Sequence, residues 1–188
     1  MGIGWRQVVN VKPSMPIGAV FPLVAVLLFS VSGCAGKDRE EKREYAVPES
    51  LCDLTVGAEV IAPFMPPGKK VHQSEDGGPG SIWSCEISVD GEEVLRVARE
   101  VWEPGWSARR FASSQAYVEP EHEAADKSYV YSDRGAVTVL RCTAKGEKWD
   151  LFLKAKARNE GVADAKAMEK LITTYRTELE KRDPCADI

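Results

Sequence analysis

The chain has 188 residues, of which 25 are Lys or Arg, 29 are Asp or Glu and 44% are hydrophobic. These values suit one ordinary globular domain with an additional segment, and they exclude collagen, coiled-coil and low-complexity proteins. The composition is uneven along the chain, because no charged residue lies between Lys12 and Lys37. A polar domain therefore follows an apolar N-terminal segment.

The N-terminal segment has the features of an export signal. Arg6 and Lys12 precede a mostly apolar run of about fifteen residues at 17–31, which matches a positively charged region followed by a hydrophobic region. A transmembrane helix needs about 20 apolar residues, and the prolines at 13, 16 and 22 disfavour a continuous helix. We therefore predict export rather than a membrane span.

The apolar run ends in Val31, Ser32, Gly33 and Cys34, which resembles the lipobox of bacterial lipoproteins. The resemblance implies that the Cys34 thiol receives a diacylglyceryl group and that a peptidase removes residues 1–33. Two or three acyl chains would hold the protein at the extracytoplasmic face of the cell membrane, because one chain alone binds only marginally. The alternatives are an ordinary secretory signal with a chance cysteine, or a retained N-terminal anchor.

The other four cysteines predict disulfides. Cys52, Cys85, Cys142 and Cys185 form an even set, and disulfides persist outside the cytosol. Four cysteines allow three pairings, and the sequence does not choose between them. We prefer Cys52 with Cys85 and Cys142 with Cys185, each linking a helix end to a strand.

A zinc site is the rival interpretation of these cysteines. No CxxC pair occurs, and His72 and His122 are far from the spacing of zinc ligands. We therefore expect no metal and no cofactor.

Residues 34–50 are predicted to be the lipidated cysteine and a charged tether. Residues 37–44 are all charged, with four of each sign, so they bury too little apolar surface to offset the entropy of ordering. A short helix rich in ion pairs is the alternative. Removal of Arg6 and Lys12 with the signal peptide lowers the formal charge from −4 to −6, which argues against nucleic acid as a partner.

Residues 51–188 are predicted to be a single domain, and its first half contains a hairpin. Residues 51–64 predict a short helix capped by Thr55, and residues 69–80 predict a mobile loop without periodicity. Strands at 83–89 and 94–102 flank Asp90 and Gly91. We expect a bulged loop that aligns Leu95 and Val97 with the apolar face.

The second half of the domain is predicted to add a helix, further strands and a final helix. Ser107 is expected to cap a helix on which Trp106 packs against Phe111, and residues 119–126 form an acidic loop. Strands follow at 129–131, 136–143 and 149–157. Apolar residues recur at spacings of three and four from Val162 to Leu179, which predicts an amphipathic helix ended by Asp183 and Pro184.

This order of elements predicts an α+β fold: an antiparallel sheet of about five strands, with a long C-terminal helix and two shorter helices packed on it. The sequence resembles small four-cysteine lipoproteins of actinobacteria in four features. These are the lipobox, the cysteine before a short helix, the Trp-x-Cys strand at Trp83 and Cys85, and the helix ending at Cys185. That group has no assigned function, so the resemblance implies a surface-anchored domain and supplies no active site.

The sequence gives no catalytic signature. It contains no GxSxG motif, and its two histidines, His72 and His122, both lie in predicted loops. Trp102 and Trp106 flank a Pro-Gly turn, where they either line a binding site or pack in the core. We therefore expect a protein that is not an enzyme.

Three functions remain for such a domain, which we expect to be monomeric. The first is a module that binds a small ligand or an envelope component in a pocket near Gly78 and Trp106. The second is an accessory subunit that holds a membrane or cell-wall protein through an exposed patch. A hydrolase is the third and is disfavoured, because the usual catalytic residues are missing.

Overall fold

The protein is described from a computed structural model that covers residues 42–78, 82–116, 118–158, 164–186 and 188. The predicted signal peptide, Cys34 and residues 35–41 of the predicted tether lie outside the described residues. So does Val162, the expected start of the last apolar stripe.

The described residues form a mixed α and β domain, as the sequence predicts. The strands are β1 Ser50–Leu51, β2 Leu54–Thr55, β3 Val71–Asp76, β4 Trp83–Val89, β5 Glu92–Trp102, β6 His122–Glu123, β7 Tyr129–Tyr131, β8 Gly135–Ala144 and β9 Glu147–Ala157. The α-helices are α1 Ala58–Ile61, α2 Ala108–Phe111 and α3 Ala165–Glu180. A 3₁₀ turn, Ala62–Phe64, follows α1, and a π-helical turn, Ala112–Ala116, follows α2.

Within the described ranges, seven strands form one antiparallel sheet in the order β3-β4-β5-β9-β8-β7-β6, and β1 and β2 form a separate hairpin. Successive residues of a strand point to opposite faces. On β9, Leu151 and Leu153 join the core beneath α1 and α3, whereas Phe152 joins a second core with α2. Helices therefore cover both faces of the sheet.

The β4–β5 hairpin confirms the expected alignment but places the bulge differently. Asp90 and Gly91, with φ of 53° and 93°, make a two-residue turn of the kind that matches strand twist. The register then shifts between Ile87 and Ser88, so Ile87 lies opposite Leu95. The bulge therefore lies between the paired strands β4 and β5 and not in the loop that joins them. It restores the apolar alignment two residues beyond the turn.

The C-terminal helix α3 is confirmed by its cap and by its buried face. The Asp164 side chain accepts hydrogen bonds from the backbone N–H groups of Lys166 and Ala167, which satisfies two of the donors exposed at a helix start. The buried face of α3 consists of Met168, Leu171, Ile172, Tyr175 and Leu179. This face covers the central strands β8 and β9.

Two local predictions in the first half of the domain are wrong. Thr55 does not cap α1, because it pairs with Ser50 in the β1–β2 hairpin and Gly57 takes the cap position. Residues 71–76 are not a mobile loop but strand β3, whose backbone pairs with β4 over six residues. The strand shows no apolar alternation because it lies at the sheet edge, where most of its side chains are exposed.

The acidic segment at 119–126 also contains a short strand. His122 and Glu123 of β6 pair with Tyr131 and Val130. The expected cap of α2 is present, since the Ser107 hydroxyl accepts a hydrogen bond from Arg110 N. The α-helix itself is shorter than expected and continues as the π-helical turn.

Part of the expected tether packs on the domain. Arg43 pairs with the backbone of Gly68 and donates a hydrogen bond to the Met65 carbonyl. Tyr45 donates to the Pro66 carbonyl and packs with Val47 against the core. The tyrosine and valine provide the apolar surface that the preceding charged run lacks.

Among the described cysteines, disulfides join Cys52 to Cys85 and Cys142 to Cys185, which is the preferred pairing. The expected position of Cys52 at a helix end is wrong, because this residue lies in the β1–β2 turn with φ of 51°. Cys185 follows α3, as expected.

Candidate functional site

A cleft of about 420 Å³ lies at one end of the sheet, on the face that α3 covers. Its wall includes Trp83, Arg99, Val101, Leu151, Leu179 and Arg182. Gly77 and Gly78, which follow β3, complete part of the rim. The cleft therefore combines an apolar floor with charged groups at its edge, which is the usual composition of a small-molecule site.

The sheet register determines which side chains form the cleft. Trp83 lies directly opposite Arg99, and Val101 lies directly opposite Leu151. The inward-facing positions of β5 run Leu95, Val97, Arg99 and Val101, because side chains alternate between faces. An arginine thus occupies a position where the pattern calls for an apolar residue.

Arg99 is held by an aromatic ring and a carboxylate. Its guanidinium carbon lies 3.5 Å from the centre of the Trp83 indole ring, a cation–π geometry. Its Nη2 atom donates to Asp53 Oδ1 at 2.7 Å. Within the described part of the chain, Arg99 Nε is buried and has no hydrogen-bond acceptor.

Asp53 connects Arg99 to a second arginine. Arg182 donates from Nη1 to the backbone carbonyl of Asp53 at 2.5 Å, and the same atom lies 4.0 Å from Asp53 Oδ2. Asp53 sits in the β1–β2 turn immediately after Cys52, whose disulfide to Cys85 ties that turn to β4. The disulfide therefore keeps the Asp53 carboxylate within reach of both guanidiniums.

The opposite rim is organised by Glu75 and a glycine. Glu75 on β3 accepts a hydrogen bond from the indole nitrogen of Trp83 at 2.6 Å. Gly77 follows with φ of 88°, and a Cβ atom there would lie 1.9 Å from the Ile82 carbonyl oxygen. Only glycine fits this close approach, which explains the glycine at position 77.

Tyr175 of α3 lies fully buried beneath the cleft. Burial raises the pKa of its hydroxyl, and the Arg99 guanidinium acts in the opposite direction. In the described residues the hydroxyl makes no hydrogen bond of ordinary geometry, although the Arg99 guanidinium lies close enough to interact with it. The arginine and the tyrosine thus form a polar contact inside the core.

Trp102 and Trp106, the candidate binding residues, lie on the other face of the sheet. Their ring centres are 5.0 Å apart, and Trp102 meets Phe111 edge-on at 5.4 Å. Phe111 in turn stacks on Phe152 at 4.0 Å. Trp102 therefore stands between Trp106 and Phe111, and both tryptophans pack against the core beneath α2.

Gly78 and Trp106, which were expected to share one pocket, lie apart. Gly78 belongs to the lining of the cleft, whereas Trp106 does not. Arg99 and Asp53 were not among the residues predicted to bind a ligand. The interrupted alternation of β5 could have identified Arg99, but nothing in the sequence places Asp53 beside it.

The histidines and the other candidate ligand groups do not come together. His72 lies on β3 and His122 on β6, at opposite edges of the sheet, and both are exposed. No three His, Cys, Asp or Glu side chains cluster as metal ligands in the described part of the chain. Of the described helices, none is long and apolar enough to cross a bilayer.

Comparison with known proteins yields no matching family model, no similar curated protein and no similar solved structure. The relationship to four-cysteine lipoproteins therefore stays a prediction, supported by the lipobox and the cysteine spacing alone.

Proposed function

We propose that this protein is a lipid-anchored, extracytoplasmic binding module, without catalytic activity, that holds a small ligand in the cleft beside Arg99. The cleft is the observation that carries the proposal. Its volume of about 420 Å³ falls within the range of ligand sites. Its floor is apolar, and its charged groups lie at the edge.

Two further observations support this proposal. The first argues against an accessory protein-binding role, and the second concerns the compartment. A large flat apolar patch would favour a protein partner. Among the described residues, however, a single large hydrophobic side chain is exposed, that of Ile82 at 59%. Both disulfides suit an oxidising compartment. That compartment agrees with the export signal and the lipobox.

The ligand-binding role can be tested with the full-length protein extracted from its own membrane in mild detergent. Native mass spectrometry should detect a bound small molecule on the wild-type protein. Val101→Trp fills the cleft with a larger side chain, and we expect it to remove the adduct. Thr143→Trp is the matched control, because Thr143 is an exposed strand residue outside the cleft.

The result decides between the alternatives when folding is controlled. Near-ultraviolet circular dichroism should confirm that both variants retain tertiary packing. If Val101→Trp carries as much adduct as the wild type, the ligand binds outside the cleft. Absence of any small-molecule adduct, together with a co-purified protein, would favour the accessory role.

A further inference from the structure

We propose that the ligand of this cleft is an organic acid, with a single carboxylate held by Arg99 and Arg182 and an apolar body lying on the cleft floor. This inference rests on the proposed function, because it names the class of molecule that the module binds. Its support comes from the donors, the acceptors and the apolar surface that line the cleft.

The two guanidiniums have more donors than the described residues satisfy. A guanidinium carries five N–H donors and no acceptor. The hydrogen bonds and ion pairs described for Arg99 and Arg182 in this cleft involve one residue, Asp53. Its carboxylate and its backbone carbonyl are the acceptors. A ligand that brings acceptor oxygens would satisfy this surplus.

Asp53 indicates which kind of acceptor fits. Its carboxylate already lies between the two guanidiniums, 2.7 Å from Arg99 Nη2 and 4.0 Å from Arg182 Nη1. Its side chain is 39% exposed, so solvent and ligands can reach it. Planar guanidinium groups match planar carboxylates. The site therefore already holds one carboxylate, beside the donors that the ligand's carboxylate would use.

The charges of the lining make Asp53 a competitor of the ligand. The lining contains the carboxylates of Asp53, Glu75 and Asp183 against the guanidiniums of Arg99 and Arg182. Glu75 already accepts a hydrogen bond from Trp83. An anion gains full access to the arginines only when Asp53 is displaced or neutralised, so neutralising Asp53 should tighten the binding of an anion.

The apolar body is specified by the floor of the cleft. Val101, Leu151 and Leu179 supply aliphatic surface next to the Trp83 ring. Burial of an apolar body there gains free energy in proportion to the area removed from water. The carboxylate then sets the orientation of the ligand.

Three probes of one shape test this inference. They are 2-naphthoate, 2-naphthamide and 2-naphthylmethylammonium, which carry a carboxylate, an uncharged amide and a cation on the same ring system. Each is titrated into the full-length protein in detergent while the indole N–H resonances are followed. The Trp83 indole N–H lies in the cleft, whereas the Trp102 indole N–H donates to Glu100 on the other face. Trp102 therefore serves as a reference on the other face of the sheet.

We expect 2-naphthoate to move the Trp83 resonance with an affinity about tenfold above that of 2-naphthamide, the scale of one charge-assisted hydrogen bond. Arg182→Gln should abolish that preference. Lys181→Gln should keep it, because Lys181 is 63% exposed and pairs with Glu178. Asp53→Asn should tighten 2-naphthoate and leave 2-naphthamide nearly unchanged.

The possible failures are distinguishable. Equal binding of naphthoate and naphthamide at Trp83 would overturn the organic-acid assignment and leave the binding module intact. Tighter binding of the ammonium probe, or weaker binding of naphthoate to Asp53→Asn, would assign the acidic groups as the ligand contacts instead. If no probe moves the Trp83 resonance, both the organic-acid assignment and the cleft as a ligand site are wrong.

Discussion

The guanidinium of Arg99 stacks on the indole ring of Trp83, its direct cross-strand neighbour, at 3.5 Å from the ring centre. The pair brings a charged group into a row of inward-facing apolar residues. The ring contact and the Asp53 carboxylate together compensate for the water that Arg99 loses. The same contacts hold the arginine at the wall of the cleft.

Arg99→Lys should destabilise the fold by about 1 kcal/mol, because an ammonium keeps the charge but loses the planar stack on Trp83. The estimate is small because the Asp53 partner is partly exposed and solvent screens the ion pair. Urea unfolding followed by tryptophan fluorescence measures the change. Arg158→Lys is the control, since Arg158 is 60% exposed and touches no aromatic ring in the described contacts. Equal stability losses in the two variants would contradict a specific role for the stack.

Periodicity was sufficient to predict the β4–β5 hairpin and α3. In β4, Trp83, Cys85, Ile87 and Val89 are buried in strict alternation, and a period of two predicts a half-buried strand. In α3 the buried residues recur at spacings of three and four. These elements were predictable because their own side chains record which face meets the core.

Elements and contacts defined by distant partners were not predictable. Strand β3 forms because the backbone of β4 offers hydrogen bonds, although its own residues are polar and mostly exposed. The cleft depends on Asp53 meeting Arg99, which is 46 residues away, and Arg182, which is 129 residues away. Local patterns carry no information about such encounters, so the charged half of the site required the structure.

Cys34→Ala should release the protein from the membrane, because the acyl chains that we propose would have no attachment site. Fractionation and detergent partitioning of the expressed protein measure this. Ser32→Ala is the matched control, since a small residue remains in the lipobox and processing should continue. Unchanged membrane retention of Cys34→Ala would argue for a retained N-terminal anchor.

Removal of either disulfide should destabilise the domain by up to about 4 kcal/mol, from the loop entropy released in the unfolded chain. The bridges span sequence separations of 33 and 43 residues. The variants are Cys52→Ser with Cys85→Ser, and Cys142→Ser with Cys185→Ser. Urea unfolding without reductant measures the loss.

Intact-mass analysis provides the direct check on these bridges. After alkylation without reductant, none of the four cysteines should carry the alkylating group. Alkylation of Cys52 in the folded protein would disprove its bridge to Cys85. The turn that carries Asp53 would then have no covalent tie to β4.

Asp150→Asn should lower the free energy of unfolding by about 2 kcal/mol, because this buried carboxylate accepts several hydrogen bonds. Asp150 is 1% exposed and accepts hydrogen bonds from the backbone N–H groups of Gly105 and Trp106, at 2.9 and 3.2 Å, while Arg141 pairs with it. These contacts all involve Oδ2, whereas Oδ1 has no partner among the described residues. An amide can keep its carbonyl oxygen toward the donors, but it loses the negative charge that strengthens each hydrogen bond and the ion pair with Arg141. Thermal unfolding and near-ultraviolet circular dichroism of the nearby tryptophans measure the loss.

The control for Asp150→Asn is Asp133→Asn. Asp133 is 48% exposed and faces Arg134 at 3.9 Å, so its loss should change stability by less than about 0.5 kcal/mol. Similar effects of the two substitutions would show that Asp150 does not organise the turn at Gly105. In that case Trp102 and Trp106 would keep their spectra in both variants.

Tyr129 should ionise about two pH units later than an ordinary tyrosine. Its hydroxyl donates a hydrogen bond to Glu169 of α3 at 2.7 Å. This bond to a carboxylate is the main cause that raises the pKa of Tyr129 from 10.0 to about 12, with burial adding to it. Because the folded-state pKa lies above the unfolded-state value, the contribution to stability is fully present below pH 10 and is lost as the pH rises to about 12. Tyrosinate absorbance of the wild type minus that of Tyr129→Phe measures the midpoint.

Glu169→Gln separates the carboxylate from the remaining surroundings of Tyr129. The amide retains a hydrogen-bond acceptor but removes the negative charge, so the midpoint of Tyr129 should move back towards 10. Tyr175 provides an internal comparison, because burial is the main cause that raises its pKa and its ionisation should not respond to Glu169. A Tyr129 midpoint unchanged in Glu169→Gln would mean that burial, and not the contact between β7 and α3, controls this residue.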